Sequence, residues 1–464
     1  MSSDAIEPLV SHDTDGAQES VRAAVNDCVH CGFCLPACPT YQLWGEEMDS
    51  PRGRIHLASQ LLDGAPLTEA AAEHFDRCLG CMACMTACPS GVQYDQIIEA
   101  AREWTEAGAG PSAGPEAPDP GAAGAPATPP APRSRRDRAT REAIFAVFPY
   151  PRRLRAAIAP LRVAQRTRAD RLLGRGGVLN RVSPAAAAAL RLAPQPGRPL
   201  PPGRFPERVA ARGQRRATVG MLTGCVQSVF FPRVNAATAR VLAAEGCDVL
   251  IPRDQGCCGA LSLHSGRAAE AARLAARLIE TFEAADVDAI VVNSAGCGSA
   301  MKEYERLLRH ADPSMARRAA ALSARVRDLA EFLAELGPVA PRHPVPVRAA
   351  YHDACHLGHA QRITREPRAL LRDIPELELV ELPDAGTCCG SAGVYNLLQP
   401  EAARALGVRK ADAVLGSGAA LVISANPGCT LQISAELASR GQTIATAHTA
   451  EVLDASIRGA RLRP

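Results

Sequence analysis

The chain has 464 residues, of which 17 are cysteines, and a formal net charge of +3 at pH 7. A chain of this length is too long to form a single compact core, so we expect two to four domains. The small net charge argues against a nucleic-acid partner. The sequence has no apolar run long enough to span a bilayer, and residues 1–15 are polar and acidic, unlike a signal peptide. We therefore expect a cytoplasmic protein whose clustered thiols serve metal or redox chemistry.

Two runs of four cysteines near the N-terminus share the spacing Cys-x2-Cys-x2-Cys-x3-Cys-Pro. In bacterial ferredoxins this spacing lets three thiolates hold one iron–sulfur cube while the fourth binds the neighbouring cube. The sequence therefore predicts two [4Fe–4S] clusters that exchange ligands. The first would be held by Cys28, Cys31, Cys34 and Cys88, and the second by Cys78, Cys81, Cys84 and Cys38.

Structural zinc is the alternative, because zinc sites also use Cys-x2-Cys pairs. Such sites take four ligands and rarely use two runs of four with this spacing, so the iron–sulfur interpretation is favoured. The two runs are separated by a long stretch with helical patterning. This predicts an α-helical ferredoxin domain over residues 18–105, similar to those of respiratory iron–sulfur subunits.

Residues 106–216 are predicted to be a linker with a helical segment. Residues 107–132 are almost entirely Ala, Gly and Pro, which cannot bury a core. Residues 133–175 mix Arg with apolar side chains, and a second Pro/Arg-rich stretch covers 194–216. Two interpretations of the 133–175 segment stay open: a helix that packs on a neighbouring domain, which we favour, or a basic surface for an anionic membrane or acidic partner.

The remainder of the chain contains a duplication with a period of about 130 residues. Each half contains a single cysteine, a Cys-Cys-Gly triplet and a further cysteine, at intervals of 32 and 39 residues in the first half and 33 and 40 in the second. These are candidate third and fourth metal sites, in domains predicted over 217–338 and 345–458. Their cysteines are Cys225, Cys257, Cys258 and Cys297, and Cys355, Cys388, Cys389 and Cys429.

Each half also alternates short β-branched runs with Ala/Leu/Arg helices, which predicts a parallel α/β sheet. The predicted strands are 217–222, 249–251, 290–293, 347–351, 377–382 and 421–424, and two of the helices are 267–285 and 401–415. Most of the cysteines follow these strands, so we expect them to converge at the carboxyl edge of each sheet. The fold class is thus multidomain: an α-helical ferredoxin domain followed by two repeated α/β cysteine-rich domains.

One further cysteine and three histidines are candidates for the core or for metal binding. Cys247 enters an apolar run and is predicted to be a buried small hydrophobic residue. His352, His356 and His359 surround Cys355, and a structural role and a role in metal binding or proton movement both stay open.

The repeated pattern resembles the cysteine-rich domain of heterodisulfide reductase and its relatives, in which each such domain holds a non-cubane [4Fe–4S] cluster. Those relatives use a further cysteine two places after the last one. Here Cys297 is followed by Gly298, Ser299 and Ala300, and Cys429 by Thr430, Leu431 and Gln432. An additional iron–sulfur cluster, zinc and free thiols therefore stay open for both repeats.

The whole chain resembles the iron–sulfur subunit of bacterial glycolate oxidase (glycolate dehydrogenase). The resemblance is carried by "CVHCGFCLPACPTYQLWGEEMDSPRGRI", "RCLGCMACMTACPSGVQY", "NAATARVLAAEGCDV", "GCCGALSLH", "SGCGSAMKEY" and "CCGSAGVYNLLQPEAARAL". It implies an FAD-binding partner subunit and a second flavoprotein-like partner. It also implies oxidation of glycolate to glyoxylate at the partner's flavin, with the membrane electron-transport chain rather than oxygen as acceptor.

The sequence has no Gly-rich dinucleotide fingerprint between a strand and a helix, so we expect this chain to carry electrons only, as one subunit of an oxidoreductase acting on CH–OH donors. Peripheral association with the inner face of the cell membrane is a further expectation. Alternatives are the equivalent subunit of a lactate-utilisation, anaerobic glycerol-3-phosphate dehydrogenase or heterodisulfide-reductase-like complex. A zinc-stabilised scaffold without enzymatic function is the second alternative.

Overall fold

The computed structural model describes residues 14–111, 133–166, 183–193 and 205–462. Several sequence predictions fall largely beyond these limits: the polar N-terminus, most of the Ala/Gly/Pro linker at 107–132, residues 167–175 of the Arg-rich segment and the first part of the 194–216 stretch. They stay predictions.

The N-terminal part is built from helices joined by the cysteine loops. Residues 14–111 contain no strand. The helices are α1 (Thr14–Asn26), α2 (Pro39–Trp44), a 3₁₀ helix (Glu47–Asp49), α3 (Pro51–Leu62), α4 (Glu69–Arg77), α5 (Ala83–Ala87) and α6 (Tyr94–Ala107).

Local sequence explains where these helices begin. Ser50 and Thr68 cap α3 and α4 by accepting hydrogen bonds from the backbone N–H groups of Gly53 and Ala71. The fully buried Phe75 of α4 packs with the apolar face of α6 in one core. The helices thereby bring the two cysteine runs to the same side of this core.

Three helices of the Arg-rich region lie against the cysteine-rich repeats. They are α7 (Arg135–Val147), α8 (Pro151–Arg166) and α9 (Pro184–Leu192). Phe145 of α7 packs with Leu192 of α9 and Leu397 of the second repeat, and Leu154 of α8 packs with Val229 of the first. Phe145 and Leu154, in the described part of this segment, are thus packed against the protein itself, which favours packing on a neighbouring domain for that part.

The first cysteine-rich repeat is a five-stranded sheet in the order β1-β3-β2-β4-β5, parallel except for the edge strand β1. Its strands are β1 (Arg208–Val209), β2 (Ala217–Leu222), β3 (Cys247–Leu250), β4 (Ala289–Val292) and β5 (Val326–Asp328). Its helices are α10 (Cys225–Phe230), α11 (Pro232–Ala244), α12 (Ala260–Leu263), α13 (Ala268–Glu283), α14 (Ala295–Lys302), α15 (Tyr304–Leu307), α16 (Pro313–Ser323) and α17 (Leu329–Leu336). Because β1 pairs with β3, the sheet begins within the stretch that the sequence places in the linker, before the predicted start at residue 217.

The second repeat is a four-stranded parallel sheet in the order β7-β6-β8-β9, the same order as β3-β2-β4-β5 of the first. Its strands are β6 (Val347–His352), β7 (Leu377–Glu381), β8 (Leu421–Ser424) and β9 (Ala445–Ala447). Between them lie a π-helical turn (His356–Ala360), α18 (Arg365–Arg372), α19 (Tyr395–Leu398), α20 (Pro400–Gly416), α21 (Pro427–Ser439) and α22 (Thr449–Arg458). The shared topology supports the duplication inferred from cysteine spacing.

The two repeats share one hydrophobic core rather than meeting at a hydrated, polar interface. Val219 and Val291 of the first sheet belong to the same buried cluster as Tyr351 and Ile423 of the second. Arg240 donates two hydrogen bonds, of 2.8 and 2.7 Å, to the carboxylate of Asp454 across this boundary. A shared core of this kind holds the two sheets in a fixed relation.

The helical N-terminal part joins the first repeat through α6. Arg102 Nη1 donates to the carbonyl oxygen of His264 at 2.6 Å, and His264 Nδ1 lies 3.1 Å from Glu99 Oε1. Arg306 Nη2 donates to Glu99 Oε2 at 2.8 Å. These are partly or fully buried charged contacts, so they orient the N-terminal part on the repeats.

Gly266 marks the closest backbone approach at this junction. A Cβ on Gly266 would lie 2.3 Å from the carbonyl oxygen of Arg102, and its φ of +77° favours glycine. We expect Gly266→Ala to push α6 away and to lower the thermal midpoint and resistance to limited proteolysis. Gly441→Ala is the control, because its φ is +70° with no atom within 4 Å, so it carries the backbone strain alone. Equal effects of the two substitutions would contradict this close-packed junction.

Candidate metal centres

One cavity gathers the first predicted set of cysteines. Its lining includes Cys28, Cys31, Cys34 and Cys88, together with the side chain of Cys84. Cys31 is exposed, and Cys28, Cys34 and Cys88 are half-buried. Cys88 thus lies with the first three cysteines of the other run, as the predicted exchange requires.

A second cavity gathers the other set. Cys38, Cys78, Cys81 and Cys84 all line it, and all four are buried. Cys84 and Tyr94 line both cavities, so the two adjoin. The structure therefore brings together both predicted sets of four thiols, side by side.

Buried positive charge surrounds the second cavity. Burial alone would raise the pKa of the Cys78 thiol, but the guanidinium groups of Arg54 and Arg102 outweigh it and lower that pKa below its usual value. The N–H of Gly80 donates to Cys78 Sγ at 3.3 Å, which also favours the thiolate. A thiolate is the form that binds metal.

Arg54 is held in place by its own buried contacts. Its side chain is 1% exposed and forms an ion pair with Asp49, which is 0% exposed, at 3.3 Å. Arg54 Nη1 also donates to Thr40 Oγ1 at 3.2 Å, and that hydroxyl lies 3.2 Å from Cys38 Sγ. Sequence reasoning missed these residues, although Asp49 and Arg54 lie in the conspicuous segment "DSPRGRI" between the two cysteine runs.

Two sets of four thiols around adjoining cavities match the ligand requirement of two [4Fe–4S] clusters. The donor set is soft, as such clusters require. The residues that line the two cavities therefore fit two [4Fe–4S] clusters.

The cysteines of the first repeat converge as predicted. Cys225 begins α10 after β2, and its Sγ lies 3.3 Å from Cys257 Sγ. The Cys258 and Cys297 thiols are neighbours, since each shifts the pKa of the other. Tyr304 fixes the Cys-Cys-Gly turn by donating from its hydroxyl to the Cys258 carbonyl at 2.7 Å.

The cysteines of the second repeat lie in the equivalent place. Cys355 Sγ and Cys388 Sγ are 4.0 Å apart, and Cys389 Sγ and Cys429 Sγ lie within 4.8 Å of each other. His352, the last residue of β6, brings a ring nitrogen near Cys389 and Cys429, and the three ligand atoms all lie within 4.8 Å of one another. Burial and the Lys410 ammonium lower the pKa of His352 to about 3, so its imidazole is neutral.

The other two histidines differ from His352. His359 bridges two parts of the chain: Nδ1 lies 2.9 Å from Thr86 Oγ1, and Nε2 lies 2.8 Å from the Gly386 carbonyl oxygen. His356 Nδ1 lies 3.6 Å from Cys355 Sγ, and its ring contacts that of His264 at a centroid distance of 4.9 Å. Cys247, as expected, is fully buried in the core.

The second cavity lies against the second repeat. Leu79 and Cys81 of the N-terminal part share a buried cluster with Cys355, Cys388 and Tyr395. The Tyr395 hydroxyl donates to the Arg77 carbonyl at 3.1 Å. The buried thiols of these two regions are therefore neighbours.

Comparison with known families agrees with this arrangement. Residues 24–92 match the family described as a 4Fe-4S dicluster domain, and residues 219–302 and 349–434 each match the cysteine-rich domain family. Residues 136–193 match the linker region of the glycolate oxidase iron–sulfur subunit. The fold and the cysteine sets thus define an iron–sulfur protein with a dicluster domain followed by two cysteine-rich domains.

Full-length relatives identify the family. The chain is 34% identical to the probable glycolate oxidase iron–sulfur subunit of Bacillus subtilis, over 92% of this chain and 93% of the relative. It is 33% identical to the glycolate oxidase iron–sulfur subunit of Escherichia coli, over 96% and 98%. The chain belongs to the family of glycolate oxidase iron–sulfur subunits.

A related family matches only part of the chain. Lactate utilization protein A of an Exiguobacterium species is 33% identical over 52% of this chain and 99% of its own length. The lactate-utilisation alternative thus corresponds to a shorter relative. Among the helices that the structure describes, none combines the length and apolar character needed to cross a membrane.

Proposed function

We propose that this chain is the electron-transfer subunit of a glycolate oxidase complex. A partner flavoprotein carrying FAD would oxidise glycolate to glyoxylate, and this chain, with a second flavoprotein-like subunit, would pass the electrons to a respiratory acceptor other than oxygen. The observation that carries the proposal is that each predicted set of four cysteines lines one of two adjoining cavities, with Cys84 reaching both. We keep the predicted α-helical ferredoxin assignment for residues 18–105 and the second α/β domain at 345–458. We extend the first α/β domain, predicted at 217–338, back to β1 (Arg208–Val209), so the linker predicted at 106–216 ends before that strand.

The ligand assignment follows the two cavities. Cys28, Cys31, Cys34 and Cys88 would hold one [4Fe–4S] cluster, and Cys78, Cys81, Cys84 and Cys38 the other. When bound, each cluster accepts and releases one electron at a time, which suits relay from a two-electron donor. The protein supplies the thiolates, the buried charge of Arg54 and Arg102, and walls that exclude water from the second site.

The two sites differ in their access to a partner. Around the first cavity, Val29 is 69% and Phe33 66% exposed, beside the exposed Cys31. Single exposed apolar side chains are common, but two neighbouring ones beside a candidate metal site form a small patch of the kind that a partner covers. We assign this loop to electron exchange with another subunit, and the buried second cavity to transfer toward Cys355 and Cys388.

The proposal is tested on the chain purified anaerobically without its partner subunits. We expect about eight iron atoms in its ferredoxin-type domain, visible as brown colour and a reduced-state EPR signal, and no oxidation of glycolate with an artificial dye as acceptor. Adding the flavoprotein subunits should restore dye reduction. Glycolate oxidation by the isolated chain would contradict the assignment of that reaction to the flavoprotein subunit. A colourless zinc-containing protein would support the scaffold alternative instead.

A further inference from the structure

His352 occupies a position where an unpaired imidazole is unexpected. It is the last residue of β6 and is 0% exposed, and neither ring nitrogen has a hydrogen-bond partner among the described residues. Ser424, its register partner on β8, likewise has an unpartnered hydroxyl oxygen. A buried polar group without a hydrogen-bond partner destabilises the fold, so an unpaired buried imidazole points to a ligand that completes the site.

The neighbouring charged groups do not supply that partner, because they are engaged elsewhere. Asp353 accepts two hydrogen bonds from Arg368, at 2.8 and 2.7 Å. Lys410 Nζ donates to the carbonyl oxygen of Asp384 at 2.6 Å and lies 3.2 Å from its carboxylate. The groups that His352 does approach are two thiols.

The separation of these atoms suits a single metal atom. The ring nitrogen and the sulfurs of Cys389 and Cys429 all lie within 4.8 Å of one another. A four-coordinate metal with bonds of about 2.0 to 2.3 Å holds its ligand atoms about 3.3 to 3.8 Å apart, so these three atoms could bind one metal after small side-chain shifts. Across the described residues, no other trio of histidine, cysteine or acidic side chains meets this criterion.

The first repeat lacks this feature. The residue three positions before Cys225, and last in β2, is Leu222, whereas the residue three positions before Cys355, and last in β6, is His352. Both repeats otherwise present four cysteines at the same edge of the same sheet. The two candidate sites therefore differ in chemistry: four thiols in the first, and four thiols with an added imidazole in the second.

We propose that His352 is a nitrogen ligand to a metal atom shared with Cys389 and Cys429 in the second repeat, either a zinc ion or one iron of an iron–sulfur cluster. Thiolate and imidazole are suitable ligands for both metals. Cys355 and Cys388 lie on the side of this site that faces the second cavity of the N-terminal part. The first repeat, with Leu222, has no nitrogen ligand.

The test compares variants of the full chain, purified anaerobically. His352→Leu reproduces the first repeat, His352→Cys keeps a ligand atom but replaces nitrogen by sulfur, and His359→Gln controls for loss of a nearby histidine. Iron, zinc and sulfide are counted. The ligand atoms are identified by zinc-edge X-ray absorption if the additional metal is zinc, or by ¹⁴N couplings in pulsed EPR if it is iron.

We expect the wild-type chain to contain metal beyond the eight irons of the N-terminal part, with a nitrogen ligand. His352→Leu should lose the additional metal that carries the nitrogen signature, His352→Cys should keep metal without that signature, and His359→Gln should match the wild type. No additional metal in the wild type, or an unchanged nitrogen signature in His352→Cys, would overturn the inference. Neither result touches the eight ferredoxin-type irons, so it would leave the proposed function intact.

Discussion

Replacing Cys38 by alanine should abolish the same cluster signal as replacing Cys81, although Cys38 belongs to the other cysteine run. Likewise, Cys88→Ala should match Cys31→Ala. The reason is geometric: Cys38 lines the cavity of Cys78, Cys81 and Cys84, and Cys88 lines that of Cys28, Cys31 and Cys34. Each substitution removes one of four thiolates, so we expect a loss of about four iron atoms relative to the wild type.

The measurement is reduced-state EPR together with iron counts on the four variants. Cys31→Ala and Cys81→Ala define the spectrum that remains when each site is lost. Cys247→Ala is the control, because Cys247 is buried in the hydrophobic core away from both runs and should retain all iron. A Cys38→Ala spectrum that matches Cys31→Ala would show that each run closes on its own cluster, contrary to our assignment.

Replacing Asp49 by alanine should strongly destabilise the N-terminal part. Its fully buried carboxylate lies 3.3 Å from Arg54, 2.9 Å from His74 and 3.1 Å from Arg77. Without it, the buried guanidinium of Arg54 loses its carboxylate partner and keeps only the thiols of the second cavity near its charge. Removing one partner of such a buried pair costs about 3–5 kcal/mol.

Glu47→Ala is the matched control, since Glu47 begins the 3₁₀ helix that Asp49 ends and also pairs with an arginine. Its contact with Arg52, at 2.8 Å, is partly exposed, and such pairs contribute about 0–1 kcal/mol. Anaerobic denaturant titrations, followed by loss of cluster absorbance, should show a much lower midpoint for Asp49→Ala than for Glu47→Ala. Equal midpoints would mean that the Asp49 network is not needed to hold Arg54.

The cysteine sites could be predicted from the sequence because their chemistry is encoded in spacing. Thiolate positions two and three residues apart constrain how a loop wraps a cluster, and the repeated Cys-Cys-Gly pattern indicated the duplication. The strands at 217–222 and 421–424 were predicted with the bounds that the structure shows. These are central strands whose continuous apolar character follows from burial on both faces.

Other features depend on tertiary contacts that the sequence does not show. Strands β1, β5 and β9 were missed because they are two or three residues long and are defined by pairing at the sheet edge. The sequence does not show that Arg54 and Asp49 are buried, because only the packing of the helices buries both side chains. His352 was noted beside Cys355, but its approach to Cys389 and Cys429 required the sheet to bring the ends of β6, β7 and β8 together.

The exposed loop around Cys31 affects how readily dioxygen oxidises the cysteines of the first cavity. A small oxidant that reaches the surface there meets the same sulfur atoms that another subunit would approach, whereas Cys78 and Cys81 are buried. Docking of a partner over Val29 and Phe33 would close that route. Assembly of the complex would then protect the chain from dioxygen as well as connect it to its electron donor.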